Sequence, residues 1–339
     1  MIGIRADGNK KIGIGHIMRC MTVGDAMKQL GEDVIFFLAD CDCVSLVESR
    51  GFRCCVLDSL YDDLNSETEK VMGLLDEFHV NKLLVDSYYV TPEYLKALSE
   101  KVVIAYLDDM DMFEYPVDVL INYNVFAQAE DYPYVTEDTQ CLIGPKYAPV
   151  RKEFANVCAS ENKEVENILI TLGGSDQYNL SLKIARVLLE CTNCRLHVVC
   201  GPFNRNREEL VELAENNERV LLHENVKEMW KLMEDCELAV SAAGSTMCEL
   251  ATARVPAITF SFVDNQQKIA EAFGEKNAAV TVGHYECTRE PEFLNDIKEA
   301  VTKMISDAEF RESVGKNAYK LVDGAGAERI ARAIMERTR

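Results

Sequence analysis

A histidine follows two closely spaced glycines near the start of the chain, in Ile12-Gly13-Ile14-Gly15-His16-Ile17-Met18-Arg19. The apolar Ile2-Gly3-Ile4 ahead of it reads as a strand and residues 6–11 as a polar loop. Apolar residues at Ile17, Met21, Met27 and Leu30 read as one face of a helix stopped by Gly31. The imidazole therefore stands at a helix N-terminus, at the C-terminal mouth of the first strand, where doubly wound sheets hold their ligands. The positive end of the helix disfavours the imidazolium, so a neutral His16 able to take a proton near pH 7 is expected, as in a general base. A histidine that merely caps the helix is the competing reading. A dinucleotide fingerprint fits less well, because Met18 stands where the third glycine belongs, although Asp40 could imitate the ribose-binding acid.

A second constellation is Ser241-Ala242-Ala243-Gly244-Ser245-Thr246-Met247-Cys248-Glu249. A strand ending at Ser241, a small-residue turn and a helix opening at Ser245 or Thr246 would aim hydroxyls and free N–H groups at an anion such as a diphosphate. Glu249, one turn further in, could accept from ribose hydroxyls; alternatively it closes a capping box with Ser245 or Thr246. Gly173-Gly174-Ser175-Asp176 follows another strand and could expose backbone donors, or form an ordinary turn. Asn265 and Gln266 follow a third strand end, where amides can bond phosphate or sugar or stand in water. Asp86-Ser87-Tyr88, Asp108-Asp109 and Asn122-Tyr123-Asn124 also follow strand candidates; their carboxylates could orient His16 or a sugar hydroxyl, or cap helices. His79, His197, His223 and His284 show no partner pattern and read as structural or solvated.

The elements that must position these groups alternate strand and helix from end to end, the pattern of parallel sheets with crossover helices. Strands are expected at 2–5, 34–38, 54–57, 82–86, 102–107, 119–121 and 141–143, and again at 168–172, 196–200, 220–222, 238–241, 257–260 and 278–282. A polar stretch at 159–166 marks the expected boundary. The predicted architecture is α/β, two Rossmann-like domains whose parallel sheets face each other across a cleft. They span 1–155 and 165–325, with a last helix over 326–339 folding back on the first domain.

The chain has 339 residues, 48% of them apolar, enough for two cores. A net charge of −21 argues against binding nucleic acid or anionic membranes, which reward a basic face. Thirteen cysteines in a chain with no signal-peptide pattern and no apolar run near the ~20 residues of a membrane span read as reduced thiols in the cytoplasm. Cys191-x-x-Cys194 alone has zinc-like spacing and lacks a second pair, while Cys54 and Cys55, adjacent in a strand, face opposite sides, so no metal site is expected.

Taken in order, Arg5-x-Asp7, Gly13-x-Gly15-His16-x-x-Arg19, Asp86-x-Tyr88, Asn122-x-Asn124, Tyr147-Ala148-x-x-Arg151-x-Glu153-Phe154, Gly173-Gly174-x-Asp176, Asn179-Leu180-Ser181-Leu182, His223-Glu224-Asn225 and Asn265-Gln266 resemble the nucleotide-sugar hydrolases of pseudaminic acid biosynthesis. That family removes UDP from a 2,4-diacetamido-2,4,6-trideoxy sugar. It has the two-domain GT-B fold shared with the glycosyltransferases of peptidoglycan lipid precursors. The resemblance implies that His16 is the general base activating water at the anomeric carbon, with inversion and without metal or cofactor. It groups Asp86 and Tyr88 with His16 as catalytic, Tyr88 helping to hold the sugar, and implies Glu249 on the uridine ribose, Gly244, Ser245 and Thr246 around phosphate, and Asn265 beside the diphosphate and substrate. It further implies contacts to the UDP-sugar from Gly13, Gly15, Arg19, Asn124, Arg151, Gly174, Val226 and Gln266. The chain departs from the family at Ser87 and over residues 110–115, on the side that faces the sugar. A glycosyltransferase or a non-catalytic nucleotide-sugar binder on the same scaffold are the alternative readings.

Overall fold

The computed structural model describes residues 1–135, 138–157 and 164–338. Most of the polar stretch expected to mark the boundary, residues 159–163 of 159–166, lies outside them. Two compact units divide the chain: Met1–Val150 with Ala325–Arg339, and Arg151–Gly324.

The first unit carries seven parallel strands: β1 (Ile2–Ala6), β2 (Val34–Leu38), β3 (Arg53–Val56), β4 (Lys82–Asp86), β5 (Val103–Leu107), β6 (Val119–Asn122) and β7 (Gln140–Ile143). They lie in the order β3-β2-β1-β4-β5-β6-β7. Runs such as Val34–Leu38 are apolar throughout because helices cover both faces of a parallel sheet, leaving no solvated side. Alternation decides which core each residue joins: Cys54 packs into the cluster on one face and Cys55 into that on the other. The helix Gly15–Gln29 buries Ile17, Met21 and Met27 on one of these faces. The helix Gly326–Glu336 packs beside it, with Ile330 and Ile334 fully buried in the same cluster. Gly326 is required there, since a Cβ would stand 2.2 Å from the Ala148 carbonyl oxygen.

The second unit repeats the plan with six parallel strands: β8 (Asn167–Thr171), β9 (Arg195–Cys200), β10 (Val220–Glu224), β11 (Leu238–Ala242), β12 (Ala257–Ser261) and β13 (Val280–His284). Their order is β10-β9-β8-β11-β12-β13. Strand order reverses between β1 and β4 in the first sheet and between β8 and β11 in the second. Such switch points splay the loops apart at the carboxyl ends of the strands and leave a crevice for a ligand. Among the described residues, no helix is long and apolar enough to cross a membrane.

Candidate functional site

In the first unit the reversal brings together the loops after β1 and β4, with Ala6 registered against Asp86. Gly13 takes φ +73° and bridges back to Asn9, whose side chain accepts from the N–H groups of Lys11 and Ile12. This tight return lets Gly15 open the helix, with His16 in its first turn. His16 is 6% exposed and Asp86 1%. His16 Nδ1 lies 2.7 Å from Asp86 Oδ1. Arg19, one helical turn on, holds the same carboxylate in two-pronged fashion: Nε to Oδ2 and Nη2 to Oδ1, both 2.6 Å.

Burial by itself would push the Asp86 carboxyl up. The Arg19 guanidinium and the hydrogen bonds from Arg19 and His16 outweigh burial and hold it well below the usual carboxylate range. An ionised carboxylate only accepts, so the 2.7 Å contact places the proton on His16 Nδ1 and the lone pair on Nε2. Arg19 Nη2 also stands 3.2 Å from Nδ1. That contact is the longer of the two, and Nη2 already donates to Asp86 Oδ1 at 2.6 Å.

The flanking loops complete the site. Tyr88, 42% exposed, sets its ring edge-on to His16 at 4.4 Å, and its hydroxyl lies 3.4 Å from Asp109 Oδ2. Burial, with Asp109 adding to it, pushes the Tyr88 phenol up to about 12, so it stays protonated at neutral pH. Asp109 accepts from Arg19 Nη1 at 2.7 Å and from Asn124 Nδ2 at 3.2 Å. Its neighbour Asp108 turns inward, accepting from the hydroxyls of Tyr115 and Tyr132 at 2.8 and 2.6 Å, and so anchors the loop that departs from the family pattern. That loop leaves Met110 and Met112 exposed. A small hollow opens beside His16, lined also by Asp7, Ile12, Asp86, Ser87, Tyr88 and Tyr89.

In the second unit, Gly174, Val226, Gly244 to Thr246, Glu249, Asn265 and Gln266 all follow strand ends at one edge of a wholly parallel sheet. The loops after β8 and β9 are locked together. A Cβ on Gly201 would lie 2.3 Å from the Gly173 carbonyl oxygen, and Phe203 N–H donates to Gly174 at 2.9 Å. Asp176, raised by burial, accepts from the N–H groups of Leu180 and Ser181 at 2.7 and 2.9 Å and caps the helix Leu180–Cys191. Ser245 precedes the helix Thr246–Thr252 with no side-chain cap, so the capping box is not formed. Glu249 instead lies 3.3 Å from the Arg151 guanidinium. Burial raises Glu249 and Arg151 only partly opposes it. Gln266 accepts from Phe262 N–H at 3.2 Å, and Asn265 sits in the first turn of the helix Asp264–Glu275.

Residues 167–333 match the glycosyltransferase family 28 C-terminal domain. The chain is similar to the UDP-2,4-diacetamido-2,4,6-trideoxy-beta-L-altropyranose hydrolase of Campylobacter jejuni, 29% identical over 81% of this chain and 97% of that protein. The resemblance read from the motifs holds. MJ1062 of Methanocaldococcus jannaschii is 25% identical over 95% of the chain, which spans 65% of that protein's length. MurG of Acinetobacter baumannii superposes with a TM-score of 0.70 at 15% identity, covering 99% of each chain. The fold is GT-B.

Two groups escaped the sequence reading. Glu67 closes a buried ion pair with Arg5 at 2.6 Å and accepts from Ser59 and Tyr94. An arginine inside an apolar strand was the available signal that a buried acid must exist, but nothing local says which. The second is the pairing of His197 on β9 with His223 on β10, for which the sequence shows no partner pattern. Their rings stack at 5.2 Å with Nδ1 and Nε2 3.2 Å apart.

Proposed function

We propose that the chain is a nucleotide-sugar hydrolase that removes UDP from a UDP-2,4-diacetamido-2,4,6-trideoxy hexose, in nonulosonic acid synthesis of the pseudaminic type in the cytoplasm. The observation that carries this reading is the buried His16–Asp86 pair, which leaves Nε2 as the basic nitrogen. The hydrolase activity named for the Campylobacter jejuni relative supports it.

In this reading His16 Nε2 takes a proton from water as the water oxygen bonds to the anomeric carbon. The bond from that carbon to the diphosphate oxygen breaks, and UDP leaves with the electron pair. The ionised Asp86 stabilises the imidazolium that forms, as an orienting carboxylate does in other histidine bases. One displacement gives inversion. Tyr88 and Asn124 hold the sugar, with Gly13 and Gly15 allowing its close approach. In the second unit Gly174, Gly244, Ser245 and Thr246 offer donors to the diphosphate in place of a metal, together with Asn265 and Gln266. Glu249, steadied by Arg151, accepts from the ribose hydroxyls, and Val226 lies along the nucleoside.

The test is incubation of the protein with candidate UDP-sugars in ¹⁸O-labelled water, without an acceptor and with a chelator present. The expected result is label in the free sugar, unlabelled UDP and an inverted first-formed anomer. Label in UDP, or no release from any diacetamido substrate, contradicts it. A glycosyltransferase is the second reading, favoured by the family 28 match. Sugar transferred to an added acceptor faster than to water would decide for it.

A further inference from the structure

Arg19 stands in the resemblance as a contact to the substrate, yet its donors point elsewhere. The side chain is 13% exposed. Nε and Nη2 grip both oxygens of Asp86, and Nη1 donates to Asp109 Oδ2 at 2.7 Å and to the Tyr123 hydroxyl at 2.9 Å. The guanidinium also lies over the Tyr123 ring, 5.5 Å from its centroid. Cys20, next along the helix, donates its thiol to Asp86 Oδ2 at 3.4 Å. These partners come from the strand ends of β4, β5 and β6, so a single planar fork fixes three loops at once. Lysine could not reproduce this, because its ammonium is a point charge without paired, coplanar donors.

We propose that Arg19 is a positioning residue which, by holding Asp86 as an ionised, immobile acceptor, decides that Nε2 and not Nδ1 is the basic nitrogen of His16. The inference rests on the hydrolase reading for its kinetic consequences, but not for the tautomer itself. Two carboxylates and one guanidinium leave the cluster one negative charge. That charge balances the imidazolium formed when His16 takes the proton from water. Without Arg19, the buried Asp86 and the partly exposed Asp109 would face each other with no cation between them, and like charges in that setting favour protonation of one, the more buried Asp86. A protonated Asp86 donates rather than accepts. It would then hydrogen-bond to an unprotonated Nδ1, move the imidazole proton to Nε2 and remove the lone pair from the nitrogen that must act.

The experiment uses the full chain with ¹⁵N-labelled histidine, in wild type, Arg19→Gln and Arg19→Lys. Long-range ¹H–¹⁵N correlation assigns the His16 tautomer, and UDP affinity is measured by calorimetry. Turnover is measured on the best UDP-sugar, with and without added guanidinium chloride at millimolar concentration. The expected wild-type signal is protonated Nδ1, with the Nε2-protonated form gaining population in Arg19→Gln. The kcat of Arg19→Gln falls about 100-fold, within the range for a general base, while KM and UDP affinity stay within about twofold of wild type. Guanidinium restores part of kcat. Arg19→Lys keeps a cation beside the carboxylates without the planar fork, so it retains the wild-type fold by circular dichroism and the protonated Nδ1, and its kcat falls less than that of Arg19→Gln. An unchanged tautomer in Arg19→Gln, or a loss confined to KM and UDP affinity, overturns the proposal. A wild-type protein that hydrolyses no UDP-sugar overturns the hydrolase reading alone, because the tautomer is read without turnover.

Discussion

The two sheets reverse strand order at equivalent places, β1/β4 in one unit and β8/β11 in the other, yet the loops that follow are chemically unlike. At the first reversal, ionisable side chains hold one another: His16 on Asp86, Asp86 on Arg19, Arg19 on Asp109. Few rotamers remain free there, so charge and proton positions are set before any ligand arrives. At the second, glycines and hydroxyls dominate, and the ion pair at hand, Arg151–Glu249, is long and partly exposed on both sides. In the proposed function, one scaffold thus serves proton transfer in one copy and anion and hydroxyl binding in the other. Fold alone could not have told them apart. The difference lies in which residues stand at the same topological position.

This contrast can be broken by asking each region to do the other's work. The largest effect is expected from Asp86→Asn. It removes the carboxylate that accepts from Nδ1 and should lower kcat about 1,000-fold, the span typical of general-base catalysis, while UDP affinity by calorimetry stays unchanged. A large loss of UDP affinity in this variant would mean that the first unit also grips the nucleotide. Glu249→Gln should do the reverse. Removing a charged acceptor from the ribose, about 1.5 kcal/mol for such a hydrogen bond, raises KM for the UDP-sugar roughly tenfold and leaves kcat intact. A fall in kcat with KM unmoved would erase the division of labour.

The smallest effect separates the units by pH. Burial, and each ring's proximity to the other, lowers His197 below its ordinary value, and burial lowers His223. The unfolded chain therefore binds more protons than the folded one just below pH 6.5. Stability conferred by the second unit is present above that pH and is lost as the pH falls through it. Asp86 has the same sign in a lower window: held below the carboxylate range, it confers stability that persists until the pH falls below about 4. Urea unfolding at pH 7, 6 and 5 should show a destabilisation that His197→Asn flattens and Asp86→Asn does not. Equal flattening by both would place the acid sensitivity elsewhere.

The thirteen strands were legible because a parallel sheet buries both faces and writes each strand as a short apolar run between turn residues; the bounds shift by a residue or two where hydrogen bonding extends past the apolar core, as in β10, which runs on to Glu224. His16 was legible from its glycines and its place after β1. Its partner was legible only as one of several acids after strands, because proximity of Asp86 to His16 is a property of strand order, 70 residues away in sequence. A separation of 62 residues likewise hid Glu67 from Arg5. Asp108 and Asp109 show the limit of reading by type. Adjacent and identical, they face a tyrosine-lined interior and the site respectively, and only the turn after β5 decides which is which.

The most direct measurement is UDP release from the diacetamido UDP-sugar by His16→Asn against wild type, with UDP affinity measured on the same samples. The account predicts release slowed at least 1,000-fold, in line with loss of a general base, at unchanged affinity for UDP. Release at the wild-type rate from the variant would contradict it.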